Sequence, residues 1–224
     1  MSDIIKVTYD LYSSSFSAYL MVEELSKQPV VAFDIETRGV YSPEERKKAA
    51  KLLAQEGDTM SLQEKRLVSI VANNTGLSFP SLTKTTHFIF SHSKDHSKIV
   101  VCDSFELEMK MWRWISHQSC KFIIHNTLFD LKSMYHRIGR FPKDYEDSAL
   151  LLKTFINNVA TWKAKTGLKD IMGPYYTPRW QEYENYDAPI RDKNFLEYAA
   201  IDGAATYHLW ELLQEHIEEN RKTL

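Results

Sequence analysis

The sequence predicts an α/β fold, a mixed β-sheet flanked by helices in a single domain. Strand and helix patterns are interleaved along all 224 residues. The early strands follow one another in meander order, and a later buried strand joined to such an antiparallel set gives a mixed sheet. No Pro/Gly-rich linker divides the middle of the chain.

Composition narrows the class further. The chain is 43% hydrophobic and 26% charged, ordinary for a globular protein and enough to bury a core. A net charge of -2 excludes a broad basic coat for duplex binding but leaves room for a local positive groove or a metal-mediated phosphate site. Cys102 and Cys120 lack metal-ligand spacing and read as two reduced thiols. The opening MSDIIKVTYD is too polar for a signal peptide, and no apolar run reaches spanning length. The expectation is a cytoplasmic protein with no membrane partner.

Taken in order, residues 17–27 have helical spacing, with Leu20, Val22 and Leu25 among polar neighbours and Pro29 marking the end. Val30 to Phe33 is a buried strand. Residues 41–66 read as a charged helical excursion: Ser42 and Pro43 open one helix, and SLQE at 61–64 fits a capping box. LVSIVA (67–72), THFIFSH (86–92) and KIVVCD (98–103) read as strands. The next segment is a helix with Phe105, Met109, Trp112 and Ile115 inward. CKFIIHN (120–126) is a buried strand. TLFDLKSMYHRIG is a helix with Leu128, Leu131, Tyr135 and Ile138 on one face and Gly139 just past its end. Asp147 or Ser148 caps the helix after that, and the last long helix runs from about Lys193 to Glu219.

Carboxylates stand where these elements end. In VVAFDIETRG, Asp34 and Glu36 share one face of a strand and Ile35 points the other way, because strand side chains alternate. Two like charges held together call for a cation. Glu106/Glu108 and Glu182/Glu184 have the same spacing but read as solvated pairs. Asp130 lies in the first turn of the helix after KFIIH, where Asn126 caps the helix or offers its amide to a ligand. In YAAIDGAATYHLW, Tyr198 and Asp202 are four apart on one helix face. Ala199, Ala200, Gly203 and Ala204 form a small face that allows close packing on a sheet.

Asp34-x-Glu36, Asn126-xxx-Asp130 and Tyr198-xxx-Asp202 resemble the three motifs of the DEDD superfamily of 3′–5′ exonucleases, in its DEDDy form. The nearest resemblance is to the proofreading exonuclease domain of family A DNA polymerases. It spans residues 28–215, and YEDSALLLKTF is similar to the segment after the second motif. The resemblance implies an RNase H-like sheet and two divalent ions, Mg²⁺ or Mn²⁺, of the kind that drive phosphodiester hydrolysis from about 3.5–4 Å apart. It implies that Asp34 bridges both ions, that Glu36 and Asp202 complete the site of the attacking water, and that Asp130 holds the second ion. By the same resemblance Tyr198 would orient the water, and Asn126 and the Thr37 backbone would contact the terminal nucleotide. His208, ten residues past Tyr198, reads as an ordinary helix residue.

The implied partners are a single-stranded DNA 3′ end and a separately encoded DNA polymerase, in a bacterial cell or phage-infected host. The chain ends about twenty residues after Asp202 with no polymerase domain, so it is either free-standing or part of a longer chain; the Met1 start favours the former. The 41–66 excursion is longer than the family's usual first loop. It carries Lys47, Lys48, Lys51, Lys65 and Arg66, which suit either substrate guidance or a solvated helix pair. Trp162, Tyr175, Tyr176, Trp180, Tyr183 and Tyr186, among Lys163, Lys165, Lys169 and Arg179, read mainly as packing residues with one or two touching a base. Two other readings stand beside DNA proofreading: an RNase D-like 3′–5′ exoribonuclease, and a non-catalytic scaffold that binds nucleic acid or a polymerase.

Overall fold

A computed structural model describes residues 4–75, 79–159, 166–177 and 179–221. Six strands form one mixed sheet: β1 (Thr8–Tyr12), β2 (Val30–Gly39), β3 (Thr83–Ser91), β4 (His96–Val101), β5 (Lys121–Ile124) and β6 (Tyr145–Asp147). Their spatial order is β1-β4-β3-β2-β5-β6. The meander β2-β3-β4 is antiparallel, whereas β5 joins β2 in parallel, as do β6 to β5 and β1 to β4.

Alternation along the strands feeds two cores. Val31, Phe33, Ile35, Phe88, Phe90 and Val100 face one side. There they meet α1 (Ser15–Leu25), α4 (Phe105–His117) and α5 (Leu128–Ile138). Ile89, Ile99 and Val101 face the other side, under α6 (Ser148–Val159), the short α7 (Leu168–Met172) and the 29-residue α8 (Lys193–Arg221). Cys102 and Cys120 are free and buried, and burial pushes both thiols up, Cys120 to about 11.

Several expectations are corrected. Residues 67–72 are not a strand but the end of α3 (Leu62–Ala72), which pairs with α2 (Pro43–Glu56) as a helical hairpin. The Ser61–Glu64 capping box starts α3, and the helix runs on through the β-branched residues to Ala72. β1 and β6 are short edge strands that the apolar patterns did not mark. α1 buries Ala18, Met21, Val22 and Leu25 and exposes Leu20. The inward faces of two helices are also rotated. α4 buries Leu107 and Met111 beside Trp112 and Ile115, leaving Phe105 exposed. α5 buries Asp130, Leu131, Ser133 and Met134, with Leu128 and Tyr135 exposed. No helix among the described residues is long and apolar enough to cross a membrane.

Candidate active site

β2 does not stop at its acids. It pairs with β5 only over Val30–Ala32 and then runs on to Gly39 against β3 alone. Asp34 and Glu36 therefore stand beyond the last rung to β5, where the sheet opens. A register shift between Glu36 and Thr37 leaves Thr86 of β3 without an opposite residue, and the Thr86 hydroxyl donates to the Glu36 carbonyl at 3.2 Å. Such a bulge bends the ladder and re-aims the side chains beyond it.

α8 brings the third acid. Asp34 lies opposite Ile89 in the β2-β3 ladder. Gly203 sits so close to Ile89 that a Cβ there would lie 2.6 Å from a methyl of that residue. The small face of α8, with Ala199, Ala200 and Ala204 fully buried, permits this approach, and the Ser97 hydroxyl donates to the Ala200 carbonyl at 2.7 Å. Asp202, next to Gly203, is thereby set beside the β2 acids. One carboxylate oxygen each from Asp34, Glu36 and Asp202 lie within 4.8 Å of one another.

The fourth acid arrives from the other flank. β5 ends at Ile124, Asn126 takes a left-handed conformation (φ 62), and α5 begins with Asp130 in its first turn. The expected Asn126 cap is not formed. Thr127 is the N-cap, and the junction is held by Asp147, whose carboxylate accepts from the backbone N–H groups of Asn126 (3.2 Å), Thr127 (3.0 Å), Ala149 (2.9 Å) and Leu150 (3.1 Å). Burial opposes ionisation of Asp147, but these hydrogen bonds, with that of the Thr127 hydroxyl, outweigh it and hold its pKa below the ordinary value.

All seven residues singled out in the sequence line one cleft of about 370 Å³: Asp34, Glu36, Thr37, Asn126, Asp130, Tyr198 and Asp202. Its electrostatics are those of an acidic cluster short of positive charge. Burial and the charges of Asp130 and Asp202 raise Asp34 well above the carboxylate range. Burial, Asp34 and Asp202 do the same to Glu36. Burial raises Asp130 to about 8, and one of its oxygens is buried with no hydrogen-bond partner. Burial raises Asp202 to about 6, against the opposing effects of Lys169 and a hydrogen bond from Tyr198. Carboxylates so placed are suited to a hard divalent cation, which would restore the charge that burial disfavours.

Tyr198 is buried and stacked on Phe195. Burial and the nearby Asp202 and Glu36 drive its pKa far up, so the hydroxyl keeps its proton and acts as a hydrogen-bond donor. Sequence reasoning set Lys169 only among the cations of the aromatic segment, not beside Tyr198. Lys169 Nζ donates to the Tyr198 hydroxyl at 2.7 Å and lies 3.3 Å from Glu184 and 4.0 Å from Asp202. No spacing pattern marks Lys169, because only the packing of α7 on α8 carries it into the cleft. Of the aromatic segment, Tyr176 and Trp180 are core and Tyr186 reaches the cleft. Trp162, Lys163 and Lys165 lie outside the described residues. His208 is buried against Tyr176, away from the cleft lining.

No protein-family model matches the chain, and no curated protein sequence matches it. Solved structures match in shape. NrnC from Brucella melitensis is 15% identical across 97% of this chain and 84% of its own, with a TM-score of 0.60. The catalytic core of RRP6 from Trypanosoma brucei is 10% identical across 96% of this chain and 48% of its own, at 0.63. Escherichia coli RNase D, an exoribonuclease involved in structured RNA processing, is 13% identical across 95% and 46%, at 0.58. The chain spans about half the length of the latter two. The likeness is one of fold: this chain shares with these structures a mixed sheet flanked by helices, an RNase H-like architecture.

Proposed function

We propose that this chain is a metal-dependent 3′–5′ exonuclease that removes nucleotides from the 3′ end of single-stranded nucleic acid. The observation that carries the reading is the convergence of Asp34, Glu36 and Asp202 within 4.8 Å, with the unpartnered buried oxygen of Asp130 in the same cleft. Asp34, Glu36, Asp130 and Asp202 would hold two divalent ions, Mg²⁺ or Mn²⁺. When bound, such ions supply a nucleophilic hydroxide at neutral pH, neutralise charge at phosphorus and stabilise the leaving 3′-oxygen. NrnC has been solved with bound Mg²⁺ and bound to pGG, which supports the metal and the class of substrate.

The protein's own groups do the positioning. Tyr198, held protonated and hydrogen-bonded to Asp202, orients the attacking water. Lys169 offsets part of the carboxylate charge and presents an ammonium to the scissile phosphate. Asn126, exposed at the cleft mouth, reaches the terminal nucleotide beside the Thr37 backbone. For the substrate we favour RNA, because RNase D shares the fold and is an exoribonuclease. The proofreading reading, with DNA and a separate polymerase, keeps the support of the sequence motifs alone.

Digestion of 5′-labelled single-stranded RNA and DNA with Mg²⁺ or Mn²⁺ tests this. A descending ladder on RNA is expected, abolished by EDTA and reduced roughly 10³-fold or more in Asp34→Ala, the scale of losing a group that stabilises transition-state charge. A ladder on DNA alone would return the substrate to the proofreading branch. No cleavage of either by the wild type would leave the scaffold reading in its place.

A further inference from the structure

The acidic cleft has a neighbour of opposite character. Phe129 of α5 lines the cleft and also a second groove of about 470 Å³ that runs between α3 and α5. Its walls include Arg66 and Ile70 from α3, Phe79 and Pro80 ahead of β3, and Lys132 from α5; among the described residues two cations and no acid line it. Arg66 and Lys132 are exposed and form no ion pair among the described residues. α3 buries no side chain of its own, although it carries Leu62, Leu67 and Ile70 on its surface. α3 thus sets a cation and an apolar side chain along the groove while adding no fully buried side chain to either core.

Beyond Pro80 and Lys132 the surface dips again over Leu128 and the stacked rings of Tyr135 and Phe141, 5.2 Å apart. The acidic cleft and the two depressions share walls: Phe129 borders the cleft and the groove, Arg66 and Lys132 line the groove, and Phe79, Pro80 and Lys132 border the groove and the dip with the aromatic pair. Cations beside exposed aromatic faces are the chemistry of single-strand binding, in which phosphates take the charges and bases stack.

We propose that the groove between α3 and α5 holds the stretch of single-stranded nucleic acid that adjoins the cleaved nucleotide, with phosphates on Arg66 and Lys132 and bases against Phe129 and Phe79. The inference rests on the exonuclease reading of the neighbouring cleft. It gives the charged helical hairpin of residues 43–72 a task, the gripping of substrate, that the catalytic acids do not perform.

The test is the double variant Arg66→Glu/Lys132→Glu of the full chain, with Lys27→Glu, exposed just past α1 and away from both grooves, as a charge control. One arm measures fluorescence anisotropy of a labelled strand of roughly ten nucleotides, within the usual span of such sites, in an Asp34→Ala background that needs no turnover. The other compares cleavage of that strand with cleavage of a dinucleotide that fills the catalytic cleft alone. The double variant is expected to bind the strand roughly tenfold or more weakly and to lose about 1.4 from the slope of log affinity against log salt, two cations at about 0.7 each. Its dinucleotide cleavage and melting temperature are expected to match the parent, and the control to bind almost as the parent does. Unchanged strand affinity and salt slope would overturn the proposal, as would an equal loss in the control or on both substrates. A wild type that binds the strand through these residues yet cleaves nothing would sink the exonuclease reading and leave the groove standing.

Discussion

Within two residues β2 turns unlike side chains to the two faces of the central sheet, one apolar and one acidic. On one face Phe33 meets Phe90, Phe122 and Trp112 with ring centroids 5.4, 5.6 and 6.1 Å away, and its surroundings are apolar. One residue later, on the other face, Asp34 stands among three further carboxylates, Glu36, Asp130 and Asp202, whose pKa values are raised first of all by burial. Period-two alternation lets one strand serve stability with one set of side chains and chemistry with the other. The second set is held in place by the first, and it weighs against the stability of the metal-free fold.

The largest expected effect is on the apolar face. Phe33→Ala should remove about 3–5 kcal/mol of stability, the usual cost of truncating a buried aromatic, read by denaturant unfolding. A loss well under that would mean that the face can collapse around the gap. Gly203→Ala tests the contact between α8 and the sheet. The added methyl meets Ile89 at 2.6 Å, so a cost of about 1–3 kcal/mol is expected from overpacking, together with lower activity per folded molecule as Asp202 shifts. Parent-like stability and turnover would show that α8 can back away without consequence.

The smallest effect has the opposite sign. Asp130, near 8, and Asp202, near 6, keep protons in the fold at pH values where an unfolded carboxylate, near 3.8, has lost them. The folded state binds more protons over that span, so stability falls as pH rises from about 4 to about 8 and is insensitive to these groups below it. In EDTA the protein should melt higher near pH 5 than near pH 8, and excess Mg²⁺ should lift the pH 8 value. Asp34→Asn should likewise raise the pH 8 melting temperature without metal, by the equivalent of about 1 kcal/mol, as relief of strain at functional sites commonly does. A flat pH profile, or a variant less stable than its parent, would mean that the acids are not in conflict.

The candidate site was more legible in the chain than parts of the scaffold. Asp34 with Glu36 and Tyr198 with Asp202 are separated by the repeats of a strand and a helix, so their shared faces follow from backbone geometry alone. Gly203 within an alanine-rich helix stretch announced a close approach that the contact with Ile89 shows. Residues 67–72 misled because a short apolar run fits strand and helix equally, and the capping box upstream decided it. The face of α5 was misread for a related reason: Leu128 and Tyr135 keep helical spacing with Leu131 but line an exposed groove, while the polar Asp130 is buried.

The order of residues along the chain dictated local matters: which side chains alternate, where helices begin, and which acids share a face. These follow from fixed backbone periods and from hydrogen bonds that span only a few residues. Long-range packing was needed for the rest: that β2 outruns β5 beneath its acids, that Asp147 ties down the start of α5, that Lys169 enters the cleft and that α3 and Lys132 line one groove. Each depends on the packing of elements far apart in the chain, a matter of summed burial and register that no short stretch of residues encodes.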